Sequence, residues 1–541
     1  MNRQPRFILS RLSQNYYEEF FFFFLLVMAF AIPTSRLLMS MSQIALASLW
    51  ILDGRYREKL TLFFRNRIAV ILSSLFIVHL VGLLYTANFE AAFNDLRIKL
   101  PLLLLPFFFS SSTRFTKKKT IWILIAFIAG VLYASLFVSV ENWIWGKDIK
   151  SILSDRFIKH MRFSLSINLA IFSLLLLLVY EWKKVWLKGL AFLIVLWLFV
   201  FMLKTGALSA YIIFVLSLVF LWIYTLSQIK GKKFIFSLFI FFITLFAASY
   251  FVISSIMPLF LNDEIIESLP LDKKTAQGNY YSHKPKELTE NGKRIYAYVC
   301  EKELNKQWSS KSEFPFYGTD RKGQELKTTL IRYLTSLDLR KDSLGFSQLS
   351  DRDILNIENG IANINYVSKA AFKVRLMQLA FEMEQLRVNN NPSGYSLAQR
   401  QEFWKSSWHM IKKSSLFGYG SGDNTTIMQE GYREINTKLS KDLWFHPHNQ
   451  FLSFWLSFGV FGLFLFLFIL FYPPVYIAAF KNPYYWLFFI TIFFSFLVED
   501  VLETQSGATY FAFFNAFFLM LWPLELSKDE TQKRERKEIE K

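Results

Sequence analysis

The sequence predicts an all-α integral membrane protein with about twelve transmembrane helices and a large, mainly helical insert outside the cytoplasm. Of its 541 residues, 53% are hydrophobic and 18% aromatic, including 61 Phe, whereas only 19% are charged and the mean hydropathy is +0.29. A soluble domain has about 25% charged residues, and it could not bury so much apolar surface in one core. The excess apolar surface is therefore expected to face lipid.

The formal net charge of +19 raises the question of a nucleic-acid partner, because phosphate binding requires a basic surface. Most Lys and Arg residues, however, stand in short clusters between long apolar runs, where they indicate membrane topology, so we expect no nucleic-acid partner. The single cysteine, Cys300, excludes an intramolecular disulfide and a cysteine-based metal cluster. The first apolar run lacks a cleavage site of small residues, which predicts a retained anchor rather than a signal peptide.

Apolar runs close to the roughly 20 residues that a bilayer requires predict the membrane spans. Nine precede residue 261, at about 17–35, 38–52, 68–86, 98–112, 121–140, 163–181, 185–203, 205–226 and 234–260. Three more follow, at about 449–472, 484–499 and 508–524. The predicted domains are a membrane domain over 1–260, an extracytoplasmic loop domain over 261–447, a second membrane domain over 448–525 and a charged cytoplasmic tail over 526–541.

Basic residues in short loops predict the orientation of these spans. A cytoplasmic N-terminus makes the loops after spans two, four, six and eight cytoplasmic as well, and all four loops are basic. The loop 141–162 is an exception, since it is basic and yet assigned to the outside. The same count places four further polar residues on the extracytoplasmic side: Lys204, Arg400, His448 and Glu499.

The only large polar segment, from about Leu261 to Pro447, has the composition of a soluble domain. Apolar residues return every three or four positions over 351–358 and 370–387, which predicts helices, whereas 280–285 and 388–394 predict loops. No repeat of 20 to 50 residues is present. The chain is therefore predicted to be one membrane domain interrupted by one insert.

Two histidines stand where the insert re-enters the membrane, in His446-Pro447-His448-Asn449. Gly459 and Gly462 follow in the next apolar run, and a structural role is open, with Asn449 as a helix cap and the glycines as points of close helix approach. The pattern nevertheless resembles the O-antigen ligase and polymerase family, bacterial enzymes that move lipid-linked glycans. That family has His, then Asn, Ser or Gln, nine residues and Gly-x-x-Gly at the end of a long periplasmic loop, and this chain fits every position.

A second stretch extends the resemblance. Arg400 and Trp404 begin a helix-like segment that ends in Gly418-Tyr419-Gly420, similar to the family's Arg-x-x-x-Trp helix and Gly-x-Gly loop. Structural alternatives are a surface cation over an aromatic ring for Arg400 and a simple turn for the glycines.

A third element departs from the family. Where the family usually has Arg in a Ser/Thr-Arg-x-Gly-like stretch, this chain has Lys204, which keeps the charge but cannot form a bidentate fork on a phosphate. The alternative is a lysine that extends to the lipid head-groups. Two further stretches, Arg162–Leu165 and Glu499–Gly507, resemble parts of Bacteroidetes-like members of the family.

The resemblance implies a GT-C-like fold and an enzyme of the bacterial inner membrane with its active site facing the periplasm. The donor would be a glycan on undecaprenyl pyrophosphate, and the acceptor a hydroxyl of the lipid A core of lipopolysaccharide or of another lipid or glycan. His448 would be the general base, with His446 as its competitor, while Arg400 and Lys204 would bind the pyrophosphate. Glu499 would bind the acceptor or pair with Arg400, unless it is simply solvated at a helix end.

The implied reaction is inverting and needs no cofactor. Asp351-Arg352-Asp353 could hold a divalent ion, but it follows Ser350 at the start of a predicted helix, where acidic residues act as caps. We therefore expect a metal-independent transfer.

Two other functions remain open. A polymerase would transfer the growing chain to another lipid-linked unit, and the sequence barely separates it from a ligase, although the long loop after span nine resembles ligases more. A secondary transporter would also have twelve spans, but such folds have related halves, and no internal repeat is found here. His79 is the main polar candidate within a span, and a lone histidine is more often bonded to a neighbour than functional.

Overall fold

The computed structural model describes residues 14–112, 114–228, 250, 254, 271–284, 288–290, 292–369, 371–389, 392 and 396–523 of the chain. The chain divides into two compact units. The membrane unit comprises Met1–Gln228, Phe403–Thr437 and Trp444–Lys541, and the insert unit comprises Ile229–Glu402 and Lys438–Leu443. Residues 403–437, which the sequence grouped with the insert, thus belong with the membrane helices.

We number the described helices in chain order. Before the insert they are α1 (Gln14–Thr34), α2 (Arg36–Leu52), α3 (Tyr56–Arg65), α4 (Arg67–Gly82), α5 (Phe89–Lys99), α6 (Pro101–Ser110), α7 (Lys117–Trp145), α8 (Ile149–Arg156), α9 (His160–Leu176), α10 (Val185–Thr205) and α11 (Leu208–Gln228). In the insert, an antiparallel pair of short strands, β1 (Thr289–Glu290) and β2 (Lys293–Arg294), precedes α12 (Glu301–Ser309), α13 (Leu326–Ser336), α14 (Ser343–Ser347), α15 (Asp351–Glu358), α16 (Asn365–Ser368) and α17 (Ala371–Asn389).

The remaining helices are α18 (Ser396–Lys413), α19 (Asn424–Glu434), α20 (Gln450–Tyr476), α21 (Pro483–Val498) and α22 (Gln505–Ala516). Single π-helical turns extend α9 over Leu177–Glu181 and α22 over Phe517–Leu521. Short 3₁₀ turns lie at Lys441–Leu443, Ala479–Lys481 and Val501–Glu503.

Six helices in the described part of the chain are long and apolar enough to cross a membrane: α1, α7, α9 with its π-helical turn, α10, α11 and α20. Helices α2 and α3 are long and apolar enough only when they are taken together, and the angle of the bend between them is 117°. Helices α4 and α21 are apolar but shorter. The structure therefore supports an all-α, multi-pass membrane protein with six or seven such spans in these residues. Twelve spans and the GT-C-like fold stay predictions.

Several predicted spans differ from the helices observed. The fourth, at 98–112, contains only the ten-residue helix α6, which begins at Pro101, as expected for a proline at a helix start. The ninth, at 234–260, lies outside the residues described except for positions 250 and 254, and the tail at 526–541 lies outside them entirely. The predicted loop after the second span folds into α3, where the Lys59 ammonium lies 2.8 Å from the Asp53 carboxylate and is buried. Lys59 is therefore part of the packing and not an exposed topology signal.

Helix α22 is surrounded by the other helices of the membrane unit. All of its residues from Ser506 to Ala516 are buried, which is the expected position for a helix that is apolar on every side. Its Phe514 ring lies 4.8 Å from Phe127 of α7 and 6.0 Å from Phe488 of α21. Each such aromatic pair contributes about 0.5–1.5 kcal/mol beyond the burial of its area.

The insert unit has a core of its own, in which Trp308, Leu330, Tyr333 and Ile357 are buried. Helix α15 matches the predicted helix 351–358, and α17 covers most of the predicted helix 370–387. The prediction that the Asp-x-Asp run caps a helix is confirmed, because Ser350 and Asp353 form a reciprocal capping box.

Glu303 is a buried carboxylate of the insert that accepts hydrogen bonds from Asn279 Nδ2 at 2.8 Å, Ser343 N at 2.9 Å, Ser343 Oγ at 2.8 Å and the Thr275 hydroxyl. Burial works to raise its pKa, but these donors outweigh burial and lower the pKa of Glu303 to about 2. Because the pKa of Glu303 is lower in the folded state than in the unfolded chain, where it is near 4.5, the ionised carboxylate stabilises the folded state at pH values above 4.5. This stabilisation is lost as the pH falls toward 2.

We therefore expect Glu303→Gln to lower the free energy of opening of the insert by about 2–3 kcal/mol at pH 7. The variant should also lose less stability than the wild type between pH 4.5 and 2. Hydrogen exchange of the α12 amides measures both effects. Glu313→Gln, at an exposed carboxylate of the same unit, is the control, and equal protection in both variants would contradict the prediction.

Candidate active site

The loop that carries the two predicted histidines is fixed by one buried carboxylate. Asp500, which follows α21, accepts hydrogen bonds from the backbone amides of His448 at 2.7 Å and Asn449 at 2.9 Å, and from the Ser453 hydroxyl at 2.7 Å. The Asn449 carboxamide oxygen caps α20 by accepting from the amides of Phe451 and Leu452. The predicted cap is thus confirmed.

The His448 imidazole lies beside a second carboxylate. Its Nδ1 is buried and lies 3.6 Å from the Glu499 carboxylate, while the side chain as a whole is 35% exposed. A carboxylate this close to an imidazole stabilises the imidazolium form, which favours a role of the ring in proton transfer.

Two aromatic residues of α18 support this loop from the other side. The Phe403 ring lies 5.4 Å from the His448 ring, and Trp404 Nε1 donates a hydrogen bond to the Pro447 carbonyl at 3.1 Å. The tryptophan of the Arg-x-x-x-Trp motif thus positions the histidine motif directly.

A cavity of about 380 Å³ opens beside His448. The starts of α9 and α20, the end of α21 and the turn before α22 all contribute to it, so it lies at one end of the helix bundle. Its lining is strongly polar and consists of Ala91, Asn94, Asp95, Ile98, Lys159, Arg162, Ser421, Gly422, Asn424, Thr425, Phe445, His446, His448, Glu499, Asp500, Glu503 and Thr504.

One wall of the cavity holds a lysine between two carboxylates. The buried Lys99 ammonium contacts Asp95 and lies 2.8 Å from Glu503. Although burial opposes it, Lys99 lowers the pKa of Glu503 to about 2. Burial, together with the Glu503 charge, raises the pKa of Asp95 to about 7 against the effect of Lys99. One cation thus holds one carboxylate ionised, while the pKa of the second carboxylate stays above its usual value.

The two glycine motifs of the sequence meet in space. Helix α20 breaks at Gly459, whose φ is +64° and ψ −166°. The carbonyls of Leu456 and Ser457 accept hydrogen bonds from the amides of Tyr419 at 3.0 Å and Gly420 at 2.8 Å. Gly418 has a φ of +70° and packs against the Ser457 backbone. The Gly-x-Gly loop therefore pairs with the broken helix.

Gly459→Ala is expected to destabilise the membrane unit by about 2–3 kcal/mol, because the residue needs a positive φ and an added Cβ would lie 2.0 Å from the Leu416 carbonyl oxygen. Thermal unfolding of the purified protein measures the effect. Gly189→Ala in α10 is the matched control, since no heavy atom lies within 4 Å of its added Cβ and alanine favours a helix. Equal melting temperatures for the two variants would contradict this assignment.

The remaining part of the glycine loop binds the connection between α4 and α5. The Asp423 carboxylate accepts from the Thr86 hydroxyl at 2.9 Å and from the amides of Ala87 at 2.8 Å and Asn88 at 3.1 Å. The Ser421 hydroxyl donates to the His79 carbonyl at 2.6 Å. The His79 ring itself is bonded to the Leu75 carbonyl at 2.7 Å, as is usual for a lone histidine within a helix bundle.

The predicted site residues fall into three groups. His446, His448 and Glu499 line the cavity, and His446 Nε2 lies 3.5 Å from the Thr425 hydroxyl. Lys204 is exposed at the end of α10 and does not line the cavity, although the neighbouring Thr205 hydroxyl lies 3.3 Å from Ser164 of α9. Arg400 is half-buried in α18, one turn before Trp404, and belongs to the insert unit.

The sequence did not single out five charged residues of the cavity as site residues: Asp95, Lys159, Arg162, Asp500 and Glu503. Only Arg162 carried a signal, because a charged residue at the start of a long apolar run is costly unless it has a use. In the described residues, no group of three or more His, Cys, Asp or Glu side chains is arranged to hold a metal ion.

Membrane-length helices, with a charged cavity that residues at the starts of two of them (α9 and α20) line, define a multi-pass membrane protein with a polar site. Residues 361–467 match the family model described as O-antigen ligase. This match supports membership of the chain in the O-antigen ligase and polymerase family, whose members are membrane enzymes of the glycosyltransferase type. The matched segment contains the Arg400–Trp404 stretch, both glycine motifs and His448. No curated protein matches the chain.

Proposed function

We propose that this protein transfers a glycan from undecaprenyl pyrophosphate to an acceptor hydroxyl in the cavity beside His448, on the periplasmic face of the bacterial inner membrane. The observation that carries the proposal is the pair of His448 and Glu499, 3.6 Å apart at Nδ1, in a cavity that also contains the cations Lys159 and Arg162. The family match supports the same class of reaction.

His448 is proposed as the general base. A neutral imidazole can accept the proton of an acceptor hydroxyl, while Glu499 stabilises the imidazolium that forms. The hydrogen bonds that the backbone amides of His448 and Asn449 donate to the Asp500 carboxylate fix the position of this loop relative to the cavity. This rigidity is what a positioned base requires.

The leaving group requires cations and not an acid. The acceptor oxygen forms a bond to the anomeric carbon, the bond from that carbon to the phosphate oxygen breaks, and its electron pair stays on the pyrophosphate. Arg400 and Lys204 are proposed to bind this pyrophosphate, on the family resemblance, and fixed cations stabilise the charge as it develops. Direct displacement inverts the anomeric configuration and needs no cofactor or metal ion.

The acceptor is proposed to lie near Glu499 and His446. Both residues line the cavity, and carboxylate and imidazole groups hydrogen-bond well to sugar hydroxyls. The contact of His446 Nε2 with the Thr425 hydroxyl is long, at 3.5 Å, and a sugar hydroxyl could replace it. Ligase and polymerase activity differ only in what occupies this place.

The test is transfer by the purified protein from a defined undecaprenyl-pyrophosphate glycan, with acceptors offered one at a time. Product with lipid A core defines a ligase, and product with a second lipid-linked unit defines a polymerase. The released undecaprenyl pyrophosphate should appear in equal amount. Absence of transfer to every hydroxyl acceptor, with the donor intact, would overturn the proposal.

A further inference from the structure

A second cavity lies at the opposite ends of the helices that reach the cavity beside His448, and we call it the distal cavity. It has a volume of about 290 Å³, and all the residues that line it belong to the membrane unit. The π-helical turns of α9 and α22, the residues after α20 and the start of α21 line it. Because α20 and α9 with its π-helical turn are long enough to cross a membrane, we expect the two cavities at opposite membrane surfaces. The basic loops of the sequence predict that the distal end is cytoplasmic.

The backbone around the distal cavity departs from regular helix at several places. Glu181 is the last residue of the π-helical turn of α9, and Phe518 stands in the π-helical turn of α22. Ala478 has a φ of +56°, although it is not a glycine. All three residues line the cavity. Because π-helical turns and left-handed residues other than glycine concentrate at functional sites, their convergence here indicates a binding site and not a packing gap.

Aromatic side chains form much of the wall of the distal cavity. The rings of Tyr484 and Trp522 are buried and lie 4.9 Å apart, and the Phe518 ring lies 5.4 Å from Trp522. The more exposed Tyr180 ring lies 6.5 Å from the Tyr224 ring. Tyrosine and tryptophan are typical of the membrane–water interface, since their rings are apolar and carry one polar group. The cavity therefore has the wall expected at the depth of lipid head-groups.

The charged residues that line the distal cavity are two lysines and one glutamate. Lys117, at the start of α7, is 47% exposed, and its ammonium lies 2.8 Å from the Glu181 carboxylate. Lys481, in the 3₁₀ turn after α20, is exposed. Two further exposed lysines, Lys183 and Lys184, follow Glu181 closely in the chain. The positive charge exceeds the negative charge, so the cavity favours an anion.

The size of the distal cavity limits what it can hold. At about 30 Å³ per water molecule, its volume corresponds to roughly ten waters, and it lies near the lower limit of small-molecule sites, about 300 Å³. A phosphate with a short polyol fits this volume, whereas an acyl chain needs a place outside it. Exposed apolar side chains stand beside the cavity in the chain, with Val179 60% exposed and Val475 64% exposed. These features together favour an anion that carries an apolar tail.

We propose that the distal cavity binds the glycerophosphate head-group of an anionic phospholipid of the cytoplasmic leaflet, with Lys117 and Lys481 as the phosphate-binding residues. The acyl chains lie in the bilayer beside Val179 and Val475. Basic pockets between membrane helices on the cytoplasmic side bind such head-groups. A lipid held by these two lysines connects α7 with the turn between α20 and α21, so its binding stabilises the membrane unit.

The test uses the full chain, purified in a neutral detergent without phospholipid. Phosphatidylglycerol, phosphatidylethanolamine with the same acyl chains and free glycerol 3-phosphate are titrated separately, and native mass spectrometry and the melting temperature report binding. Phosphatidylglycerol should bind the wild type about tenfold more tightly than either other probe and should raise its melting temperature. Lys117→Gln and Lys481→Gln should each weaken binding of phosphatidylglycerol roughly tenfold, because each removes a charge-assisted hydrogen bond.

The matched control is Lys118→Gln. Lys118 is the next residue of α7, is exposed and does not line the distal cavity, so the variant loses the same charge at nearly the same place. Its affinity for phosphatidylglycerol should stay within about twofold of the wild type. Lys117→Arg keeps the charge and should bind within a few-fold of the wild type. Melting temperatures without lipid show which variants fold.

Glu181→Gln separates an anion site from a purely structural ion pair. This variant breaks the pair with Lys117 just as Lys117→Gln does, but it leaves both cations in place. Phosphatidylglycerol should therefore bind it as tightly as the wild type or more tightly. A loss equal to that of Lys117→Gln would show that the two residues only hold the helices together, and it would overturn the proposal.

Two other results would also contradict the proposal. Equal affinity for phosphatidylglycerol and phosphatidylethanolamine, or equal losses in Lys117→Gln and Lys118→Gln, would show that no specific anion site exists. Binding of glycerol 3-phosphate as tight as that of phosphatidylglycerol would exclude a lipid as the occupant. The proposal does not depend on the transfer reaction, so none of these results bears on the function of the cavity beside His448.

Discussion

His448→Ala should lower the rate of glycan transfer by about 10²–10⁴-fold, the usual contribution of a positioned general base. The variant removes the imidazole beside Glu499 but keeps both backbone amides that bind Asp500, so the loop should retain its position. The loss should therefore fall on kcat rather than on the affinity for the lipid-linked donor. Initial rates of transfer with the purified variant, at saturating donor, measure this effect.

The matched control for this prediction is His409→Ala. His409 lies in α18, pairs with Glu434 at 2.8 Å near the surface, and does not line the cavity. Its removal should leave the rate within about twofold of the wild type, since surface pairs contribute little. An equal loss of activity in both variants would show that the imidazole at 448 has no chemical role.

Lys99→Met should lower the free energy of unfolding of the membrane unit by about 3–5 kcal/mol, because it leaves two buried carboxylates without their shared cation. Asp95 and Glu503 would then have to take up protons, at a cost that the ammonium now offsets. The melting temperature of the purified variant is the measurement. Because methionine fills a volume similar to that of lysine, the loss of stability would come from the missing charge and not from a cavity.

Two further variants separate charge from packing. Replacing Asp95 and Glu503 by Asn and Gln in the Lys99→Met background should recover most of the lost stability, since no buried charge then lacks a partner. Lys119→Met, which breaks the surface pair with Glu19 at 2.7 Å, should cost no more than about 1 kcal/mol. A triple variant that melts no higher than Lys99→Met would contradict the electrostatic explanation.

The membrane class and the helices of the insert could be predicted because they depend on local patterns. Long apolar runs, the capping Ser350 and Asn449, and the period of apolar residues all act within a few positions of the chain. The buried pair of Asp53 and Lys59 at the bend between α2 and α3 could not be predicted in this way, since the pairing of two charges depends on how the helices fold back. A charge count treats Lys59 as a surface residue.

The candidate site was predictable only where one continuous motif carries it. His448 and Glu499 were found from short stretches, and both line the cavity. The cluster of Lys99, Asp95 and Glu503 joins segments about 400 positions apart, which no spacing rule connects. Asp500 lies in the Glu499–Gly507 stretch, but its role as the acceptor of two backbone amides depends on the three-dimensional arrangement of α20 and α21.

The backbone at position 448 restricts which side chains evolution or an engineer can place there. His448 has a φ of +49°, a left-handed conformation that Asn, Asp and Gly tolerate but that β-branched side chains strain by about 1–2 kcal/mol. Saturation libraries at this codon should therefore be depleted of Val, Ile and Thr for reasons of folding before chemistry is tested. Asparagine is the substitution that removes the titrating group with the least disturbance, and it is the best starting point for trapping a bound donor.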